Sequence, residues 1–131
     1  MVVDTSALVA MVFGEPERQV FVDAISQADD PIISAGTFLE AAIVTSRRTG
    51  GAGPTLRDVM AALGVRCVAF DEHQATLAME AFQRFGKGRS PAGLNFGDCF
   101  SYALAVSTGR PLLFKGRDFA ATDVVPALPA S

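Results

Sequence analysis

The chain has 131 residues, half of them apolar, with 11 basic against 14 acidic side chains, a net charge of −3 and a mean hydropathy of +0.32. One domain over residues 1–131 suits that length, because two cores would leave each half near the lower limit for independent folding, and so much apolar surface excludes a disordered chain. The longest uncharged stretches, such as Cys99 to Gly109, fall short of the roughly 18 to 20 apolar residues that cross a bilayer, so no membrane span is expected.

Val2 and Val3 run into Asp4 with neither a basic leader nor a cleavage pattern ahead of them, which points to a cytoplasmic protein. Met1 to Val3 reads as a short buried strand, and Asp4-Thr5-Ser6 can cap a helix from Ala7 to Phe13. Beyond Gly14-Glu15-Pro16, the residues Val20, Phe21, Ala24, Ile25 and Ala28 recur at steps of three and four, which makes Glu17 to Ala28 a one-faced helix. Asp29-Asp30-Pro31 stops it. Ile32 and Ile33 form a second strand, Thr37 to Arg48 a third helix, and Gly50 to Pro54 a flexible connection. Thr55 with Asp58 opens a helix to Leu63, Gly64 ends it, and Arg66 to Phe70 alternates like a strand. Asp71 with Gln74 resembles a capping box for a helix reaching Phe85, Gly86 to Gly93 is an exposed loop, and Asn95 to Ser107 is helical. Pro111 to Phe114 is a strand, and Ala121 to Val125 is a candidate final one. This alternation predicts an α/β fold whose central, mostly parallel sheet of four to five strands is flanked by helices on both faces.

Cys67 and Cys99 sit in apolar surroundings without the pairing of a metal clip or redox motif, and both read as buried thiols. A single histidine, His73, removes mechanisms that need two imidazoles and makes a mixed His and Cys zinc site improbable. Carboxylates are the chemistry in supply. Asp4 follows the first strand, Glu40 lies in the first turns of the helix after the second, Asp98 opens a helix, and Asp118 follows the fourth strand. Each has a plain structural reading: Asp4 as a cap, Thr37 to Glu40 and Asn95 to Asp98 as capping arrangements, Asp118 as a turn residue. Capping does not explain why all four fall on the edge of an α/β sheet where ligands bind.

Convergence would have an electrostatic consequence. Two unit charges about 4 Å apart repel by about 4 kcal/mol at an effective dielectric near 20, so four carboxylates in one pocket call for compensation. Mg²⁺, or Mn²⁺ in its place, supplies that compensation through hard oxygen ligands and keeps water in its open positions. Such an ion polarises phosphoryl oxygens, so phosphodiester hydrolysis is the reaction that suits the cluster.

Three blocks carry a family likeness: Val2-Val3-Asp4-Thr5-Ser6-Ala7-Leu8, Leu94-Asn95-Phe96-Gly97-Asp98-Cys99-Phe100 with its continuation to Ala105, and Leu113 to Val124 around Gly116-Arg117-Asp118. The chain resembles a VapC-type PIN-domain toxin along nearly its whole length. That resemblance implies a three-layer PIN-like fold and a Mg²⁺-dependent endoribonuclease acting on RNA. It also implies a cognate VapB-type antitoxin as partner and a homodimer as the assembly. By the same resemblance Asp4, Glu40, Asp98 and Asp118 form the catalytic, metal-binding quartet, with Thr5 or Ser6 and Asn95 as polar neighbours. Arg117 departs from the Asn or acidic residue that usually precedes the last acid, and Asp123 is an accessory acid whose capping role is the stronger reading.

Arg84, Lys87, Arg89, Arg110, Lys115 and Arg117 are candidate phosphate contacts against a commoner reading as solvated surface charge. Phe82 and Phe85 can form a stacking face, although core packing is the simpler role, and Phe13, Phe21, Val9 and Val12 can form a patch for a second copy or an inhibitor. Two alternatives stand beside the nuclease. One is a Mg²⁺-binding receiver that accepts a phosphoryl group, with Asp71 after the third strand as acceptor; the other is a PIN-like binding module that cuts nothing.

Overall fold

In the computed structural model, which describes residues 1–88 and 90–129, the chain runs β1 (Val2–Val3), α1 (Thr5–Val12), α2 (Arg18–Ser26), β2 (Ile32–Ser34), α3 (Ala35–Thr49), α4 (Leu56–Leu63), β3 (Arg66–Val68), α5 (Glu72–Phe85), α6 (Phe96–Thr108) and β4 (Leu112–Leu113). The strands pair in parallel in the order β3-β2-β1-β4, with Val2 opposite both Ile32 and Leu112, and Ile33 opposite Cys67.

Successive strand residues point to opposite faces, and this sorts the core into two halves. Val3, Ile33 and Leu113 join Leu8, Met11, Phe21, Ile25 and Met60 beneath α1, α2, α3 and α4. Val2, Ile32 and Leu112 join Ala81, Tyr102 and Leu104 beneath α5 and α6. Helices thus cover both faces of the sheet, so β1 and β4 are fully buried apolar pairs and the expected three-layer α/β fold forms. Among the described residues no helix is long and apolar enough to cross a membrane.

Two expectations fail here. Ala121 to Val125 is not a strand: this stretch turns and bends, and the tail touches the sheet through one isolated bridge between Leu112 and Pro126. Two backbone hydrogen bonds flank Pro126 there: the Leu112 amide donates to the Val125 carbonyl and the Ala127 amide to the Leu112 carbonyl, each at 2.8 Å. Cys67 is exposed rather than buried, because β3 is the edge strand and ends at Val68, two residues short of Phe70; Cys99 is buried as expected.

The strand order also locates the crevice. From β1 the chain steps outward to β2 and β3, then returns to place β4 on the other side of β1. That reversal marks the carboxyl ends of β1 and β4 as the usual ligand site of an open α/β sheet.

Candidate active site

Asp4 follows β1 directly at that end of the sheet and is only 3% exposed. Its Oδ2 caps α1 by accepting the Ser6 amide at 3.0 Å and the Ser6 hydroxyl at 2.7 Å, while its Oδ1 accepts the Ser101 hydroxyl at 2.5 Å. Ser101 meets Thr37 Oγ1 at 3.1 Å, so a buried hydroxyl chain ties the end of β1 to α3 and α6. Ser6 Oγ also accepts the Lys115 amide at 2.9 Å, which fastens the loop after β4 beside Asp4. The expected cap and the expected site residue are therefore the same carboxylate.

Asp98 likewise does both. Asn95 and Asp98 form a reciprocal capping box at the start of α6, with Asp98 Oδ2 accepting the Asn95 amide at 3.0 Å and Asn95 Oδ1 accepting the Asp98 amide at 2.9 Å. Glu40 departs from the capping expectation, because α3 begins earlier than predicted and Ser34 caps it through the Gly36 amide. Freed from that duty, Glu40 accepts the Thr5 hydroxyl at 2.6 Å on Oε1, and its carboxylate lies so close to Gly97 that a Cβ there would fall on it. Asp118 stands exposed in the turn after β4.

Asp98 reports how the acids interact. Its carboxyl is pushed up to about 7, by burial foremost; the Asn95 amide opposes that shift, and the charges of Asp4, Asp118 and Glu40 add to it. None of the four acids has an ion-pair partner among the described residues. Nor are any three of them gathered into a ready coordination sphere among those residues. Hydroxyls hold Asp4 and Glu40. The donor set nevertheless fits a hard divalent ion. It is made of oxygen alone, since the Cys99 thiol donates to the Asn95 carbonyl at 3.3 Å and burial keeps it protonated, up to about 11, while His73 is exposed on α5.

A family model described as PIN domain matches residues 1–125. The chain belongs to the PIN domain family. Ribonuclease VapC of Mycolicibacterium smegmatis is 50% identical over 127 residues, covering 95% of this chain and 97% of that protein. Ribonuclease VapC30 of Mycobacterium tuberculosis is 46% identical over 131 residues, covering 98% of this chain and all of that one. Among solved structures, Mycobacterium tuberculosis VapC20, a sarcin-ricin loop cleaving toxin, matches with a TM-score of 0.74 at 21% identity, and a toxin-antitoxin complex from Klebsiella pneumoniae with 0.71 at 20%. Each match spans 98% of both chains, and both confirm the fold.

The PIN architecture disposes of the receiver alternative. A receiver-type sheet places its third strand beside its first, whereas here β1 is flanked by β2 and β4. Asp71, the acceptor in that reading, caps α5 by accepting the Gln74 amide at 2.8 Å; the Gln74 side chain turns instead to the Ala69 carbonyl at 3.0 Å, so this cap is one-sided.

Three of the six candidate phosphate contacts are engaged elsewhere. Arg110 and Arg66 share Asp30 at the amino ends of the strands, and Arg66 first, then Arg110, hold that carboxyl down to about 2. Lys115 pairs with Glu15 at 2.7 Å and Glu17 at 3.0 Å, and Arg84 reaches Asp123 at 3.6 Å. Asp123 also accepts the Tyr102 hydroxyl at 2.6 Å, so it anchors the tail and is no accessory acid of the site. Arg117 pairs with none of the four acids among the described residues, and Arg89 lies outside them. Phe85 packs on Tyr102 within the core, whereas Phe82 is exposed, so the expected stacking pair divides. Phe21 is buried and Phe13 lies under the Arg48 guanidinium, 3.7 Å from its ring centroid, which removes both from the expected docking patch.

Thr37, Ser101 and Gly97 are not among the sequence-predicted site residues, although Thr37 opens an expected capping arrangement and Gly97 and Ser101 lie in the second motif block. Ser101 follows Asp98 by three residues and so shares its helix face, which is a further local hint. Ser101→Ala leaves Asp4 Oδ1 buried without its donor, at an expected cost of about 2 to 3 kcal/mol, whereas Thr37→Val removes a contact between neutral hydroxyls and is expected to cost about 1 kcal/mol. Urea unfolding of the two variants checks this, and equal losses would show that Asp4 does not depend on Ser101.

Proposed function

We propose that this chain is a Mg²⁺-dependent endoribonuclease, the toxin of a toxin-antitoxin pair, with Asp4, Glu40, Asp98 and Asp118 as its metal-binding and catalytic acids. The observation that carries this reading is the Asp98 carboxyl, raised by burial first and then by the charges of Asp4, Asp118 and Glu40, with no ion-pair partner among the described residues. Asp4 and Asp98 would hold Mg²⁺, or Mn²⁺ as a substitute, and Glu40 and Asp118 would complete the shell or hold a second ion. The ion, when bound, supplies charge that polarises a phosphoryl oxygen and acidifies water.

The residues of the chain orient the acids for that task. Ser101 and Ser6 fix both oxygens of Asp4, Thr5 fixes Glu40, and the capping box fixes Asp98 with its other oxygen left for binding. In the hydrolysis a water O–P bond forms as the P–O3′ bond breaks, leaving 5′-phosphate and 3′-hydroxyl ends. The relatives' names and the toxin-antitoxin complex support a VapB-type antitoxin as partner. Exposed Val20, Leu39 and Ile43 on α2 and α3 give it apolar surface to cover, and a homodimer is the assembly the resemblance implies. A cytoplasmic location fits an RNA substrate.

The test is a digest of total RNA by antitoxin-free protein with Mg²⁺, with Mn²⁺ and with EDTA, followed by mapping of the ends. Cleavage is expected with either ion and not with EDTA, and cutting that survives EDTA or leaves cyclic phosphates would refute the reading. Mg²⁺ is also expected to raise the melting temperature more at pH 8 than at pH 5. Below its raised value near 7 the Asp98 carboxyl holds a proton in place of an ion.

A further inference from the structure

An apolar surface borders the acids on the α6 side. Phe96, the first residue of α6, is 78% exposed, the most of any large hydrophobic residue described, although it stands between the capping Asn95 and the Gly97 on which Glu40 rests. Its ring meets Phe100 at 5.1 Å between centroids and 82° between planes, and Phe100 meets Phe70 at 4.6 Å and 71°. Phe100 cannot retreat, because it sits on Gly36, where a Cβ would strike its ring. Phe96 is therefore buttressed on one side and open on the other. The three rings line a groove of about 380 Å³ together with Met79, Phe82 and Cys99, and among the described residues no charged side chain lines it.

This chemistry selects the occupant. A phosphate finds no cation in the groove, whereas an unpaired nucleobase is flat, uncharged and apolar on its faces, and single-stranded RNA offers such bases to aromatic side chains. The groove begins at the residue next to Gly97-Asp98, so a strand whose phosphate lies at the acids brings a neighbouring base to Phe96. We propose that Phe96, held by Phe100, stacks an unpaired base of the RNA substrate beside the scissile phosphate, a role that rests on the ribonuclease reading. Phe96 positions the strand and does no chemistry. Because purines stack more strongly, it favours a purine at that place in the substrate.

Phe96→Leu keeps the apolar bulk and removes the aromatic face, and Phe96→Tyr restores it. Binding is read by fluorescence anisotropy of a labelled, mixed-sequence single-stranded RNA in the Asp98→Asn background with Mg²⁺ present. Phe96→Leu is expected to weaken binding about tenfold and Phe96→Tyr to leave it as in the parent. An abasic nucleotide walked along the RNA is expected to weaken parent binding at one position and to have no further effect there with Phe96→Leu. With Asp98 intact, Phe96→Leu is expected to raise KM by the same factor with kcat changed by no more than about twofold.

Unchanged binding with Phe96→Leu, or no RNA binding by the parent, overturns the proposal. So does a Phe96→Leu variant that converts a dimer to a monomer in sedimentation while RNA binding persists, since the groove would then be a contact between copies. A protein with Asp98 intact that binds RNA through Phe96 but does not cut it refutes the nuclease reading alone. Cleavage lost with Asp98→Asn but untouched by Phe96→Leu refutes the stacking alone.

Discussion

Asp98→Asn is expected to reduce RNA cleavage by about 10²- to 10³-fold while making the folded protein more stable at pH 8. The activity loss follows from removing a charge that binds the ion and balances it at the reacting phosphate. The stability gain follows from the sign of the Asp98 shift. Its carboxyl is raised from 3.8 to about 7 in the folded state, so folding favours the protonated form. That contribution is fully present below pH 3.8 and is lost as the pH rises to about 7, above which the ionised carboxylate costs on the order of 4 kcal/mol.

Asn is neutral at every pH, and its side-chain oxygen can still accept the Asn95 amide of the capping box. The variant should therefore exceed the parent by about 2 to 4 kcal/mol at pH 8 and match it near pH 4. Urea unfolding at the two pH values, without divalent ions, measures the difference. A variant no more stable at pH 8 than the parent would mean that the Asp98 charge is not held against burial and its neighbours' charges, and the premise for a bound ion would fall with it. Activity and stability are opposed at this residue because the same unneutralised charge serves one and harms the other.

Gly97→Ala is expected to lower cleavage by about 10²-fold and to destabilise the protein. On an ordinary helix this substitution would add about 1 kcal/mol of stability, because alanine is the better helix former. The sign reverses here since the added Cβ falls on the Glu40 carboxylate. The start of α6 cannot shift to make room without breaking the Asn95 to Asp98 capping box, so Glu40 has to move and give up the Thr5 hydroxyl. Adding Glu40→Ala to Gly97→Ala should restore stability but not activity. Unfolding free energies and kcat across the four proteins form the cycle that tests this, and a Gly97→Ala variant that gains stability and keeps its kcat would show that Glu40 does not need this approach.

Features governed by nearest neighbours are legible in the order of residues alone. The boxes Thr55 with Asp58 and Asn95 with Asp98, the cap from Asp71 and the cap from Asp4 all depend on atoms two or three residues apart. The strands after which Asp4 and Asp118 stand show as paired apolar residues, and with them the α/β class. What surrounds a side chain is far less legible. Cys67 has an apolar neighbour on one side, yet its strand lies at the edge of the sheet. Lys115 and Arg110 are basic residues like any others until Glu15, Glu17 and Asp30 arrive from other parts of the chain.

The acids and their helix starts are thus written locally, because capping and strand pairing draw on short-range hydrogen bonds and burial. Their meeting is a product of the folded sheet: the link from Ser101 to Asp4 spans 97 positions, that from Thr37 to Ser101 spans 64, and that from Thr5 to Glu40 spans 35. Hydroxyls so distant in sequence acquire their partners only when parallel strands bring their carboxyl ends together, and Gly97 acquires its role only when another helix sets a carboxylate against it.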